Sequence, residues 1–241
     1  MKTILVTICA RGGSKGIPGK NVLPLNGQPL LRYTINTALS LRDSLEGVDI
    51  ELSTDSEQIK TVAQAAGLTT NYVRPAKLAT DAAGKIGAIS DLWRYAEAHY
   101  GKAYDLVIDL DVTSPLRTRE DIEAAIQQLA EDAEAYNIFS VSPPRRNPYF
   151  NMVEARPDGR VQLVKQPDAT VFSRQSAPPV YDMNASFYIF RRSFFTSGQQ
   201  SSITEKSLAF LMEHTCFDLD EPLDFEVMEY LLKNNKLGFE L

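Results

Sequence analysis

Short apolar segments alternate with longer amphipathic segments along most of the chain. Five apolar segments have the length and branched aliphatic content of strands: residues 3–9, 48–53, 69–73, 106–111 and 137–142. Apolar positions recur at helical spacing in residues 28–38, 57–66, 85–99, 118–132 and 224–233. Strands that alternate with helices are typical of a parallel sheet covered on both faces. The pattern therefore predicts an α/β, Rossmann-like three-layer fold with a mostly parallel central sheet.

The regular alternation stops after residue 142. Residues 151–155 and 160–164 are two short alternating runs that flank Arg-Pro-Asp-Gly, and an Asp-Gly turn between such runs predicts a β-hairpin. A two-stranded hairpin needs a partner to cover it. We therefore interpret residues 143–185 as an excursion from a single domain that spans residues 1–241.

A loop rich in glycine and basic residues follows the first predicted strand. Ligands bind at the carboxyl edge of open α/β sheets, and glycines let backbone N–H groups approach an anion closely. Arg11, Lys15 and Lys20 add positive charge at that edge. The loop thus predicts a polyphosphate site formed by Ala10, Arg11, Gly12, Gly13, Ser14, Lys15, Lys20 and Asn21.

The glycine spacing excludes two common phosphate-binding motifs. Only three residues separate Gly12 from Gly16, and Asn21 follows Lys20, so the loop is not a Walker A sequence. The glycines at 12, 13, 16 and 19 also miss the spacing of the dinucleotide fingerprint. A flexible surface loop remains the alternative interpretation.

Further charged residues follow other predicted strands at the same edge. Arg74 comes after the strand at 69–73, and Lys85 begins the next helix, so both are candidates for nucleotide contact. Asp109 and Asp111 lie on one face of a strand because strand side chains alternate. They suit either a hard cation or an ion pair.

A second pair of carboxylates lies near the end of the chain. Asp218 and Asp220 are two residues apart, which places them on one face of a short predicted strand. Such a pair suits Mg²⁺, with water and substrate phosphates as the remaining ligands. The alternative is a capping cluster for the last helix, which is the role we assign to Asp224.

Composition and charge narrow the classes of function. The chain has 241 residues, 44% of them hydrophobic, and a net charge of −6, which argues against a nucleic-acid partner. Cys9 and Cys216 lie far apart, and His99 and His214 have no obvious partners. No signal peptide or membrane-spanning run is visible. We expect a cytoplasmic protein with no membrane partner.

Several motifs resemble those of the CMP-sugar synthetases, the cytidylyltransferases that activate sialic acid and related nonulosonic acids. The similar segments are Ala-Arg-Gly-Gly-Ser-Lys-Gly with Lys-Asn at 10–21, Arg-Pro-Ala-Lys-Leu-Ala-Thr-Asp at 74–81, Thr-Ser-Pro-Leu-Arg at 113–117 and Asp-Leu-Asp-Glu-Pro-Leu-Asp at 218–224. The resemblance implies a nucleotidyltransferase fold, CTP as substrate and a homodimer that uses the hairpin excursion. It also implies catalytic roles for Arg11, Lys20, Asp218 and Asp220, with Mg²⁺ on the two aspartates.

The resemblance also suggests which residues face the sugar. Arg-Arg-Asn-Pro-Tyr-Phe-Asn at 145–151, Arg-Gln-Ser-Ala-Pro at 174–178 and Tyr-Asp-Met-Asn-Ala-Ser at 181–186 are most similar to the branch acting on legionaminic acid. Many sialic-acid members carry Gln-Pro where Asp111-Val112 stand here, which suggests a different sugar. The implied sugar-contacting residues are Asp111, Arg145, Asn147, Tyr149, Arg174, Gln175, Tyr181 and Asn184.

The sequence leaves three alternatives to a legionaminic acid synthetase. The nearest alternative is a synthetase for N-acetylneuraminate, the parent sialic acid. A non-catalytic nucleotide-binding module would retain the loop but lack the metal pair, yet Asp218 and Asp220 are present. A dinucleotide-dependent oxidoreductase conflicts with the glycine spacing.

Overall fold

The computed structural model describes residues 2–13, 16–166 and 174–241. The strands are β1 Ile4–Cys9, β2 Pro24–Leu25, β3 Gln28–Pro29, β4 Val48–Ser53, β5 Leu106–Leu110, β6 Asn137–Ser142, β7 Val153–Ala155, β8 Val161–Leu163, β9 Asp182–Arg191 and β10 Ser207–Leu211. The helices are α1 Leu30–Ser44, α2 Glu57–Ala65, α3 Lys85–Tyr100, α4 Arg119–Glu131, α5 Arg192–Thr196 and α6 Pro222–Lys233.

Six strands form the central sheet in the order β10-β6-β9-β5-β1-β4. β9 runs antiparallel to both of its neighbours, and the other pairs are parallel. β1 therefore lies inside the sheet, with its carboxyl end beside that of β5 and β4. The predicted α/β fold with a mostly parallel sheet is confirmed.

Alternate residues of the central strands supply two separate hydrophobic cores. Ile4, Val6 and Ile8 of β1 face a core that includes α1, α4 and α6, whereas Leu5 faces a second core with α3 and α5. This alternation is expected of strands buried on both faces. Helices therefore cover both faces, as the sequence pattern predicted.

Polar side chains cap the starts of several helices. The Ser56 hydroxyl accepts a hydrogen bond from the Ile59 N–H, and Thr118 and Asp121 form a reciprocal capping box at the start of α4. Asp224 accepts from the backbone N–H of Asp220 at 3.0 Å. The capping side chains therefore define where the loops at the ligand edge end.

The prediction of a strand at 69–73 is wrong. The segment follows the outer edge of β4 through isolated contacts: Thr70 Oγ1 donates to Glu51 Oε2 at 2.7 Å, and Arg74 N–H donates to the Thr54 carbonyl at 3.1 Å. Val73 is 62% exposed. Side-chain hydrogen bonds from threonine replace the backbone ladder that a strand would need.

The first helix also differs from its predicted start. Gln28 and Pro29 pair with Pro24–Leu25 in a small antiparallel hairpin, so the helix begins at Leu30 and continues to Ser44. The excursion hairpin, in contrast, forms as predicted from β7 and β8, with Gly159 at a φ of 78° in its turn. In the part of the chain that the structure describes, no helix is both long and apolar enough to cross a membrane.

A buried arginine organises the turn that follows β5. Arg117 is 1% exposed, and one guanidinium nitrogen donates to the carbonyl oxygens of Asp111, Ser114 and Ser186 at 2.8–2.9 Å. The other terminal nitrogen donates to Thr34 Oγ1 at 2.8 Å. Burial lowers the pKa of Arg117 to about 10, so it stays charged at neutral pH. The guanidinium thus joins β5, β9 and α1.

Replacing this arginine should destabilise the protein. Arg117→Leu is expected to lower the free energy of unfolding by about 3 kcal/mol, because three buried carbonyl oxygens each lose one of their two donors. Urea denaturation measures the change. Arg119→Leu is the matched control two residues on, and its surface pairs with Glu120 and Glu123 predict a much smaller loss. Equal losses of unfolding free energy in both variants would contradict the stabilising role assigned to Arg117.

Candidate active site

The glycine-rich loop is tied to the ends of β1 and β4. The Gly12 N–H donates to Asp55 Oδ1 at 2.8 Å, and the Ala10 N–H donates to the Ser53 carbonyl at 2.9 Å. Asn21 is buried, and its Nδ2 donates to the Arg11 carbonyl at 3.0 Å. The loop is therefore closed on itself at the carboxyl edge of the sheet.

The two described cations of the loop, Arg11 and Lys20, contact different neighbouring segments. The Arg11 guanidinium lies 2.7 Å from Asp81 Oδ1, on the segment that precedes α3. Lys20 is 9% exposed, donates to the Leu219 carbonyl and lies 3.7 Å from Asp220 Oδ1. The loop thus contacts both the 74–84 segment and the C-terminal carboxylates. Ser14 and Lys15 lie outside the described residues.

Gly16 brings the loop against the backbone that carries Asp220. A Cβ atom at position 16 would overlap the carbonyl oxygen of Asp220, so any other residue would force the two segments apart. By comparison, a Cβ atom at Gly13 would meet nothing within 4 Å. The close approach explains why a glycine is needed at 16 and shows that two segments distant in sequence form one site.

Asp218 and Asp220 lie on an extended segment, but not on a strand. Leu219 is fully buried, its N–H donates to the Thr113 carbonyl at 2.8 Å, and the two aspartates flank it on the more exposed side. Single contacts replace the backbone pairing of the predicted strand, because no strand of the described residues pairs with this segment. Burial and the neighbouring Asp220 carboxylate raise the pKa of Asp218. The negative charges of Asp218 and Asp220 therefore repel each other.

Lys85 pairs with the two carboxylates of β5 and its end. Its Nζ lies 2.7 Å from Asp111 Oδ2, 3.1 Å from Asp109 Oδ2 and 4.5 Å from the centre of the Tyr188 ring. Burial opposes ionisation of Asp111, but Lys85 and two hydrogen bonds from Thr113 outweigh it and lower the pKa of Asp111 to about 2. Asp111 is therefore a fixed anion at the edge of the sheet.

Three adjoining cavities surround these groups. The loop pocket, of about 350 Å³, is lined by Cys9, Arg11, Gly16, Lys20, Asn21, Asp111, Thr113 and Asp220. The side pocket, of about 200 Å³, shares Cys9, Arg11 and Asp111 with it and extends along Arg74, Asp81 and Lys85. The large cleft, of about 710 Å³, shares Asp220 with the loop pocket. Asp111 and Asp220 therefore stand at the two junctions.

The remaining sequence candidates divide between the cavities and the protein interior. Arg145 and Asn184 line the large cleft, although the Asn184 amide is bonded to the hydroxyls of Ser140 and Ser142. Arg74 lines the side pocket while its guanidinium donates twice to Ser53.

Other candidates lie away from the cavities. Asn147 is 3% exposed. Among the described residues, the cavity walls leave out Asn147, Tyr149, Gln175 and Tyr181; the Arg174 side chain is outside the described part.

Sequence reasoning missed much of the wall of the large cleft. Met183, Phe217, Leu223 and Val227 all line it. Leu223 and Val227 are four residues apart in the last helix, a spacing that is equally typical of a helix face packed on a core. Their exposure depends on how α6 packs, so the spacing carries no signal for a cleft.

Among the described residues, the site offers charge and positioning, and neither its thiol nor its imidazole is an activated nucleophile. Burial raises the pKa of the Cys9 thiol far above its usual range, so it stays neutral. His214 lines the large cleft but pairs with Asp121 at 2.9 Å. Cations on one side of a cavity and carboxylates on the other suit the transfer of a phosphorus-centred group, which depends on positioning and electrostatics.

Comparison with known proteins identifies the class of enzyme. The model of the family described as Cytidylyltransferase matches residues 5–237, and the chain belongs to that family. It is therefore a nucleotidyltransferase.

Two full-length relatives come from Campylobacter. The chain is 39% identical to the post-translational flagellin modification protein B of Campylobacter coli, over 98% of each chain. It is 38% identical to the CMP-N,N'-diacetyllegionaminic acid synthase of Campylobacter jejuni, over 99% of this chain and 98% of that one. Among solved structures, a CMP:2-keto-3-deoxy-manno-octonic acid synthetase complexed with CTP has a similar fold, with a TM-score of 0.64, 18% identity and coverage of 97% and 99%.

The close contact at Gly16 predicts that a larger residue at this position lowers the activity. Gly16→Ala is expected to lower the rate of pyrophosphate release about 100-fold, because a displacement near 1 Å of catalytic groups has an effect of that size. A continuous pyrophosphate assay measures it. Gly87→Ala is the control, since a Cβ there would make only ordinary contact with Leu78 at 3.6 Å. Full activity of Gly16→Ala would show that the loop and the Asp220 segment are free to separate.

Proposed function

We propose that the protein is a CMP-nonulosonate synthetase. It transfers CMP from CTP to the anomeric hydroxyl of a nonulosonic acid and releases pyrophosphate. The observation that carries the proposal is the contact of the glycine-rich loop with the Asp218–Asp220 segment at Gly16. That contact places Asp220 in one cavity with Arg11 and Lys20, and Asp218 lines the adjoining large cleft.

The chain's own residues account for most of the reaction. Arg11 and Lys20 hold the triphosphate and offset the charge that builds on the leaving pyrophosphate. The anomeric oxygen of the sugar attacks the α-phosphorus, the bond from that phosphorus to the bridging oxygen breaks, and the hydroxyl proton passes to a base in the site. Asp220 lines both the loop pocket and the large cleft, which makes their junction the place where both substrates meet.

Mg²⁺ is the cofactor we assign to Asp218 and Asp220. The described residues contain no cluster of three or more histidine, cysteine, aspartate or glutamate side chains, so the protein would supply two oxygen ligands there. That donor set fits Mg²⁺, which keeps several waters and binds substrate phosphates. When bound, the ion would stabilise negative charge on the phosphates.

N,N'-Diacetyllegionaminic acid is the sugar we favour. The Campylobacter jejuni relative named for that product is 38% identical over nearly the whole chain. The N-acylneuraminate cytidylyltransferase of Streptococcus agalactiae is 28% identical, and this chain spans 52% of its length. N-Acetylneuraminate is therefore the second candidate.

A panel of sugars tests the function. The protein, CTP and Mg²⁺ are incubated with N,N'-diacetyllegionaminate, N-acetylneuraminate or a 3-deoxy-octulosonate, and pyrophosphate is measured. We expect the fastest release with the first sugar and none when EDTA replaces Mg²⁺. No release with any sugar, while CTP still binds in calorimetry, would favour a non-catalytic nucleotide-binding protein.

A homodimer is the assembly we propose, with the excursion hairpin at its interface. The register of β7 and β8 places Val153, Ala155, Val161 and Leu163 on one face, and Val153 and Val161 are about 60% exposed. On the other face Gln162 donates to Glu154 at 2.6 Å. An isolated hairpin with an apolar face is marginal without a cover, and a second copy would provide it.

Charges on the apolar face should therefore separate the subunits. Val153→Glu with Val161→Glu is expected to convert a dimer into a monomer in sedimentation equilibrium, because an interface buries carboxylates at high cost. Glu154→Gln, on the opposite face, is the control and should leave the mass unchanged. A wild-type monomer, or a dimer that survives both glutamates, would exclude this interface.

A further inference from the structure

The large cleft has one apolar wall beside the reacting groups. Met183 of β9 and Leu223 and Val227 of α6 line it, with exposed fractions of 39%, 64% and 43%. Leu223 and Val227 are one helical turn apart, so they present adjacent aliphatic surface. Asp220, whose N–H is bonded to Asp224 in the first turn of α6, belongs also to the loop pocket. Apolar side chains therefore line a concave surface that opens from the proposed reaction centre.

Several polar groups of the same cleft already have partners within the protein. Asp182 accepts from the Arg145 N–H at 3.2 Å, and Asp224 accepts from the N–H groups of Asp220 and Glu221. The Asn184 amide lies between two serine hydroxyls. The aliphatic side chains of Leu223 and Val227 offer a ligand no hydrogen bond.

We propose that Met183, Leu223 and Val227 determine sugar specificity by contacting the methyl-bearing substituents at the far end of the attacking sugar. The inference rests on the proposed function and identifies the preferred substrate class as deoxy, multiply N-acylated nonulosonates. Because the proposed reaction centre at Asp220 adjoins the start of α6, the substituents farther along the sugar come within reach of Leu223 and Val227 in the same cleft.

The chemistry of the two candidate sugars fits this wall. Legionaminic acid is a 5,7-diamino, 9-deoxy relative of sialic acid, so its diacetyl form ends in a methyl group and carries an acetyl methyl where N-acetylneuraminate has hydroxyls. A hydroxyl against aliphatic side chains loses its bonds to water without gaining a partner. A methyl group there instead removes apolar surface from water on both sides.

A subunit interface is the competing explanation for the exposed face of α6. Tyr230 is 56% exposed and lies three residues beyond Val227, on the same face, but it is outside the wall of the large cleft. A purely associative role would involve all three side chains. A specificity role would involve only Leu223 and Val227, which makes Tyr230 a matched control.

The test compares the ratio of kcat/KM for N,N'-diacetyllegionaminate to that for N-acetylneuraminate, at saturating CTP, in the full-length protein. Leu223→Asn and Val227→Thr keep the side-chain size and add polarity. We expect each to lower the ratio about tenfold, the size of effect seen for one methylene in an apolar pocket. The KM for CTP and the sedimentation mass should not change, and Tyr230→Ser should leave the ratio as it is.

Two other results would contradict the proposed role of Leu223 and Val227. A ratio within about twofold of wild type in both folded, active variants overturns the proposal, and so does a lower mass with an unchanged ratio. Both positions are exposed, so the substitutions should not prevent folding. Failure of the proposed function is distinct, because wild-type protein would then release no pyrophosphate with either sugar.

Discussion

A buried guanidinium connects the elements that carry the site. Arg117 bonds to carbonyls of the turn after β5, to β9 and to the Thr34 hydroxyl of α1. The carboxylates of Asp109 and Asp111 lie near enough to favour its charge. Without this cation, the carbonyl oxygens of Asp111, Ser114 and Ser186 would each lose one of their two donors. The position of Asp111, and hence of both pockets that it lines, depends on that arrangement.

Three other described cations of the site also face partners within the protein. Arg11 pairs with Asp81, Lys20 with Asp220, and Lys85 with Asp109 and Asp111. Paired charges cost less to bury than isolated ones. Both members of the Arg11–Asp81 pair are partly exposed, whereas Lys20 is buried and only Asp220 faces solvent, so solvent screens the first pair more strongly. Lys85 is held by two carboxylates, and this pairing fixes the position of Asp111.

The sequence predicted most of the fold because strand and helix periodicities are local. β4 and β6 have the predicted bounds, and the hairpin around Gly159 forms as expected. The strand predicted at 69–73 failed because pairing depends on which edge a segment meets. Asp218 and Asp220 keep the predicted alternation around Leu219 without a strand, since one backbone contact and a buried leucine hold them.

By itself, the sequence determined the class of chemistry: a glycine-rich cationic loop after the first strand and a carboxylate pair near the C-terminus. Local composition and spacing suffice for that, because they set backbone freedom and charge. Only the tertiary structure decided that Gly16 contacts Asp220 and that Lys85 pairs with Asp111. It alone turned Leu223 and Val227 toward a cleft. Those contacts join residues far apart in sequence, and helix packing, not periodicity, determines which face of α6 stays exposed.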